Sequence, residues 1–303
     1  MNYIDAEIIK GSNTYKISNN TLTGTSLEVL SFVVGKVKKR NYFSSIDGRL
    51  GRVNYGIEDE YRTIKLRLRA SAYDEHDIAH LRDEIFNLFD GEFYIREMRN
   101  NVTKVKYESI GSNTNDMNLG DSEYVNGKRY LVALVSDFDI ADMQYSEFDL
   151  EFETIALPFA ETVYTSMHLH RTKYNEEEAI YGLVDGLNTD YQDYVFNKDR
   201  FTLWNAGNVK VQPETMDITI TVNGLSSNGN FTIKNLSTGE TFVLKRSATG
   251  KLVLKGLHVT LNNLNVLRDT NLTFLSLKTG FNIFEISNGT FTSIEFDFRF
   301  YYK

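Results

Sequence analysis

From Tyr61 to Arg69 apolar and charged positions alternate: Ile64, Leu66 and Leu68 fall on one face, and Thr63, Lys65, Arg67 and Arg69 on the other. A period of two belongs to a strand half-buried against a core. The stretch from Ser146 to Ile155 repeats the pattern in the opposite sign, with Phe148, Leu150 and Phe152 inward and Glu147, Asp149, Glu151 and Glu153 outward. One basic and one acidic strand therefore present complementary outer faces, which can meet within one sheet or between subunits. Between them the period becomes helical: Ile78, Leu81, Ile85 and Leu88 or Phe89 recur at helical spacing, Asp74 can cap the start and Gly91 can end it. This predicts one helix over Glu75 to Phe89.

Ser26 to Val53 shows no lasting helical period, and Gly35, Gly48 and Gly51 interrupt its apolar groups, which reads as short strands and turns. Glu92 to Glu97, Lys104 to Ser109 and Arg129 to Val135 are strand-like, and the polar stretch from Gly111 to Gly120 reads as a loop. After Pro158 the chain is rich in Tyr, Glu and Asp up to Lys198, with helical spacing only at Glu176 to Tyr181, so it reads as a linker or arm. From Phe201 short strands follow at close intervals: Met216 to Val222, Phe231 to Leu236, Thr241 to Lys245, Lys251 to Lys255, Leu257 to Leu261, Thr273 to Leu277, Asn282 to Ile286 and Thr292 to Tyr301. Asn223-Gly224, Thr238-Gly239 and Asn288-Gly289 supply turn signals, and the spacing predicts a β-sandwich. The expected fold is mainly β, with a β-rich domain over 1–157, a linker or arm over 158–200 and a sandwich over 201–303.

Composition supports strands and removes several chemistries. The 303 residues hold 2 Pro against the roughly 15 of average usage, and 13% are aromatic. There is no Cys, which removes disulfides, thiolate nucleophiles and cysteine-based zinc sites. No apolar run approaches ~18 residues, so neither a membrane span nor a cleaved signal peptide is expected. The net charge of -8 argues against duplex nucleic acid as the main partner.

Phosphate-loop, dinucleotide-binding and esterase-elbow motifs are missing, so no enzyme and no cofactor is expected. His168 and His170, two apart, would share one strand face, with Glu176, Glu177 and Glu178 as possible oxygen ligands, but a solvated linker explains them as well. His76 and His80 have the spacing of a helix face without a zincin motif. Asp137, Asp139 and Asp142 could meet a calcium ion only if a loop gathered them. No metal is expected. Trp204 and surface tyrosines offer a stacking platform for sugar rings, which leaves a carbohydrate-binding sandwich used in host attachment as the rival reading.

The second half carries a longer pattern: Phe201-Thr202-Leu203-Trp204-Asn205-Ala206-Gly207-Asn208, then Pro213, the alternating strand to Val222, the turn around Gly280 and Asn282, and an aromatic strand from Ile294 to Tyr301. Together with Asp47-Gly48, Arg49-Leu50-Gly51, the Arg62 to Arg69 strand and the Asp74 to Phe89 helix, this order resembles the distal tail proteins of siphophages. The resemblance implies an N-terminal β-sandwich or split-barrel-like domain with one helix that closes a homohexameric ring, and a C-terminal galectin-like β-sandwich. It implies a place in the virion at the distal end of the tail, after assembly in the bacterial cytoplasm. The partners it implies are the tail tube protein, a tail-associated hub or lysin protein, and receptor-binding or baseplate proteins, with DNA passing through the ring and no membrane insertion. Lys65, Arg67, Arg69, Glu147, Asp149, Glu151 and Glu153 are the candidate ring interface; Gly207, Pro213, Gly280 and Asn282 are candidate structural turns.

Overall fold

A computed structural model of the chain describes residues 4–18, 26–72, 77–99, 105–108, 119–140, 145–172, 185–188 and 190–303. The chain is mainly β and divides into two units, one of Met1–Val105, Asp121–Ala160 and Lys303, the other of Lys106–Gly120 and Glu161–Tyr302.

The first unit is built on β1 (Ile4–Lys10), β2 (Asn13–Lys16), β3 (Ser26–Ser45), β4 (Arg52–Ser71), α1 (Asp77–Phe89) and β5 (Glu92–Arg99). A separate two-stranded ribbon follows, β6 (Val105–Glu108) with β7 (Leu119–Ser122), and then β8 (Lys128–Leu134) and β9 (Tyr145–Thr154). The sheet order is β2-β1-β5-β8-β9-β4-β3. Its buried face is formed by Ile64, Leu66 and Leu68 of β4 and Phe148, Leu150 and Phe152 of β9, covered by Ile78, Leu81, Ile85, Leu88 and Phe89 of α1. Gly91, with φ 75°, follows the helix in the left-handed conformation that stops it. The expected helix began at Glu75, and residues 73–76, with Asp74 and His76, lie outside the described residues.

Ser26 to Val53 departs from the sequence reading. In place of short strands and turns, two 20-residue strands form one long hairpin, in register from Ser26↔Ser71 to Ser45↔Arg52. Register shifts at Val29/Ser31, Val34/Val37, Val37/Lys39 and Tyr42/Phe43 absorb the residues that break the alternation, so the period is lost while the pairing continues. Gly35 lies in the irregularity between Val34 and Val37, where a Cβ would stand 2.9 Å from the Thr63 carbonyl oxygen.

The second unit contains β10 (Ala160–Thr162), whose first residue still belongs to the first unit, then α2 (Ser166–Thr172), β11 (Val195–Phe196), β12 (Arg200–Asn205), β13 (Ile218–Ser227), β14 (Phe231–Asn235), β15 (Thr241–Leu244) and β16 (Ala248–Lys255). It closes with β17 (His258–Leu261), β18 (Leu264–Asn265), β19 (Gly280–Ser287), β20 (Ser293–Phe298) and β21 (Tyr301–Tyr302). A six-stranded sheet, β11-β20-β13-β16-β17-β18, packs on a four-stranded sheet, β12-β19-β14-β15. Rings from both sheets interlock, Phe284 with Phe296 at 4.8 Å and Phe201 with Phe296 at 5.8 Å between centroids, which makes the unit a sandwich.

Three details differ from expectation. Asn223-Gly224 is a bulge inside β13, where the register shifts between Val222 and Leu225 and Gly224 takes φ 63°. Thr273 to Leu277 forms no strand and pairs only through an isolated bridge, Val211↔Leu277. The described part of the expected linker over 158–200 is packed structure: the buried Ser166 hydroxyl donates to the Phe296 carbonyl at 2.7 Å and accepts from the Phe298 amide, and Tyr194 is fully buried against Phe298. Its polar residues are used in specific bonds, which hydropathy alone reads as solvated chain.

Candidate assembly surface

The basic and acidic strands are neighbours. β4 and β9 run antiparallel with Thr63↔Glu153, Lys65↔Glu151, Arg67↔Asp149 and Arg69↔Glu147 directly opposite. Since inward positions on both strands are apolar and the period is two, every outward base faces an outward acid. Lys65 bonds Glu151 at 2.8 Å, and Arg67 turns from Asp149 to the diagonal Glu147 at 3.0 Å. Arg69 meets Glu147 at 2.7 Å and lies 3.7 Å from Glu28 on β3. Hydrogen bonds from Arg69 and Arg67 hold the Glu147 carboxyl below its ordinary range. All these groups are open to solvent, so each pair contributes little to stability. Of the two arrangements open from the sequence, the one inside a single sheet accounts for the stripe.

The proposed turns are built around buried asparagines. Asn282, on β19, has no exposed surface; its amide donates to the carbonyls of Lys278 (2.8 Å) and Gly280 (3.1 Å), and its Oδ1 accepts from the Lys278 amide (2.9 Å). Asn235 donates to Asn282 Oδ1 and to the Ser276 carbonyl. Asn205 donates to the carbonyls of Val209 and Lys278 and accepts from the Gly207 amide. Gly280 has φ 77°, the left-handed region that favours glycine. Gly207 is required by close approach: a Cβ would stand 2.6 Å from the Tyr301 carbonyl oxygen. Pro213 is buried in the turn where the Met216 amide donates to the Gln212 carbonyl at 2.9 Å.

No family model matches this sequence, and no curated protein does. Among solved structures, the crystal structure of the SPP1 Dit protein (gp 19.1), titled a paradigm of the hub adsorption apparatus in Gram-positive infecting phages, covers 97% of this chain and 99% of its own. The TM-score is 0.61 at 11% sequence identity. The chain has the Dit fold. A chain from the baseplate of phage P2 in its activated conformation with Ca covers 98% of both chains, with a TM-score of 0.41 and 10% identity.

The remaining candidates of this Dit-fold chain are not brought together. His168 and His170 lie on α2, a helix, where neighbours two apart do not share a face: His168 stacks on Tyr164, and His170 Nδ1 accepts from the Tyr194 amide. Glu176, Glu177 and Glu178 lie outside the described residues, as does Asp142. Asp137 and Asp139 are exposed, while Phe138 between them stacks on Phe148. His80 is exposed on α1. Among the described residues no cluster of three His, Cys, Asp or Glu could hold a metal ion, and no helix is long and apolar enough to cross a membrane. Trp204 is not a bare platform: its indole N–H donates to the Gly186 carbonyl at 2.7 Å and Phe281 packs edge-on to it at 4.7 Å.

Sequence reasoning missed the length of the β3–β4 hairpin and the exposed apolar residues near its tip. The apolar groups were visible; the bulges hid the strand period that would have joined them.

Proposed function

We propose that this protein is the structural hub of a siphophage tail tip, a homohexameric ring joining the tail tube to the tail-tip, fibre or receptor-binding proteins. The observation that carries this reading is the end-to-end likeness to the SPP1 Dit protein, with 97% of one chain and 99% of the other covered, so that neither unit stands outside the match. In this reading the first unit forms the ring and the galectin-like sandwich offers a surface to which baseplate partners attach. The role is mechanical, not enzymatic, and the acidic balance of the chain keeps DNA from adhering as it passes through. The work of the ring is symmetry: a heterologous contact repeated around a closed ring presents one identical face to the tube and another to the tip.

The test is the particle mass of the full chain, alone and with the tail tube protein. A six-chain particle that binds the end of the tube is the expected result. A chain that stays single in the presence of the tube protein and the tail-associated hub protein would overturn the reading.

A further inference from the structure

The sandwich carries a pocket that the hub role does not use. On its six-stranded sheet Ile218, Ile220, Leu254, Val259, Phe296 and Phe298 point into the core, so the residues between them point away from it. Four of these form a row across the strands: Asp297 of β20 lies opposite Thr219 of β13, Thr219 opposite Lys255 of β16, and Lys255 opposite His258 of β17. All four line a pocket of about 700 Å³. The turns at Pro213 and Gly256 also line it, held so close together that a Cβ on Gly256 would stand 3.2 Å from the Pro213 carbonyl oxygen. A volume of this size suits a small ligand.

The charges of the pocket are divided. At the β20 end stand Asp297 and Asp217, the second with a side chain 80% exposed. Arg299 beside them is already engaged, donating to the Thr162 carbonyl at 2.7 Å and lying 3.7 Å from Glu161. Asp297 Oδ1 is closed to solvent and accepts no hydrogen bond among the described residues. A buried carboxylate oxygen without a donor is costly, and so marks a place for one. At the other end Lys255 and His258 are exposed and form no ion pair among the described residues. Neighbouring strands lie about 4.8 Å apart, so the backbones of Asp297 and Lys255 are two spacings, or about 10 Å, from each other, with Thr219 between them.

This division selects the ligand. A polyanion laid along the row would meet the two carboxylates, and a polycation would meet Lys255. A neutral sugar would bring no charge to either end, and the one aromatic residue of the lining, Phe298, is buried and offers no ring to stack on. A molecule with a cation at one end and an anion about 10 Å away satisfies both ends through charge-assisted hydrogen bonds. Three extended residues of peptide span about 10 Å, and their amides suit the Thr219 hydroxyl, which both donates and accepts.

We infer that this pocket binds a short zwitterionic peptide, its ammonium against Asp297 and Asp217 and its carboxylate against Lys255 and His258. The activity belongs to the second unit alone and does not depend on the ring reading.

Equilibrium dialysis of the full-length chain tests it against three probes: triglycine with free termini, N-acetyl-triglycine amide with both charges removed, and maltotriose as a neutral sugar. Triglycine is expected to bind, the blocked peptide at least about tenfold more weakly, and maltotriose not at all. Asp297→Asn and Lys255→Met should each weaken triglycine binding about tenfold or more, with melting temperature and particle mass as in wild type. Should Asp297→Asn unfold the sandwich, Lys255→Met still decides, because it alters an exposed side chain. Equal binding of the free and blocked peptides would overturn the charge assignment, as would wild-type affinity in both variants. Maltotriose binding more tightly than triglycine would give the pocket to sugars instead. Triglycine that fails to bind the folded wild-type chain would overturn the proposal outright. The ring reading is decided by particle mass, and none of these outcomes alters it.

Discussion

Asn205 and Asn282 meet at one atom: both side-chain amides donate to the carbonyl oxygen of Lys278, at 3.3 Å and 2.8 Å. The two residues lie 77 positions apart on the neighbouring strands β12 and β19, and each is essentially without exposed surface. A carbonyl has two lone pairs, so the shared atom is fully used and the loop before Gly280 is fastened to both strands at once.

Replacing Asn282 by Ala should therefore loosen the sandwich more than its small side chain suggests. The change leaves the Lys278 amide and the Gly280 carbonyl without their partner, and each buried unsatisfied group costs roughly 1–3 kcal/mol. A loss of about 2–4 kcal/mol in urea unfolding of the second unit is expected. A midpoint equal to wild type would mean that water replaces the amide and that the network is dispensable.

The two glycines should fail for different reasons. At Gly280 a new Cβ would meet the Trp204 ring at 3.5 Å, an ordinary contact, so Gly280→Val costs backbone strain alone, roughly 1–3 kcal/mol. At Gly207 the obstacle is the Tyr301 backbone, at 2.6 Å from its carbonyl oxygen and 2.8 Å from its nitrogen, so even Gly207→Ala must displace β21. Gly280→Asn should recover part of the loss, because Asn tolerates the left-handed region, whereas no side chain should be accepted at 207. Thermal melting of the three variants checks the order, and an unaffected Gly207→Ala would show that β21 yields freely.

How much of this was legible in sequence follows from where the information resides. The β4 and β9 alternations, and the α1 spacing, are local patterns created by one buried face, so they can be read from a few residues. The Asn205–Lys278–Asn282 arrangement left only a trace, a turn asparagine after a glycine, because its partners are distant in sequence. The β3–β4 arm was misread since each bulge shifts the inward face by one residue and erases the period. Ser166 and Tyr194 looked like linker because their value lies in partners on β20 that no local pattern reveals.

The charged stripe should stabilise one chain without controlling assembly. Glu147 receives both Arg67 and Arg69, and its carboxyl is held low. Its stabilisation is present above the unfolded value and is lost as pH falls through the lowered folded value. Arg69→Glu should lower the melting temperature at low salt, with the loss shrinking toward 1 M salt, where the Debye length is ~3 Å. Adding Glu147→Arg should recover part of it, with particle mass the same throughout. A mass change in the single variant, reversed in the double, would show that the stripe meets a second copy of the chain.

Asp5 should behave in the opposite sense with pH. Its side chain is buried on β1, and Oδ1 accepts from the amides of Ala6 at 2.8 Å and Ser18 at 3.0 Å. Burial raises the carboxyl above its ordinary value, while the bonds from Ser18 and Ala6 and the charge of Lys16 act against that rise. A group with a raised folded pKa contributes stability that is fully present below its unfolded value, 3.8, and is lost as pH rises through the folded value. Asp5→Asn keeps an oxygen for both amides and removes the charge. The variant should thus match or exceed wild type at pH 7 and fall behind only at acid pH. The difference between the two stability curves isolates this residue from the other carboxylates, including Glu147, whose slope has the reverse sign. Urea unfolding from about pH 4 to pH 7 measures it. A variant less stable than wild type at pH 7, with a gap that widens as pH rises, would show that the Asp5 charge is favourable in the fold and that Lys16 and the two amides outweigh burial.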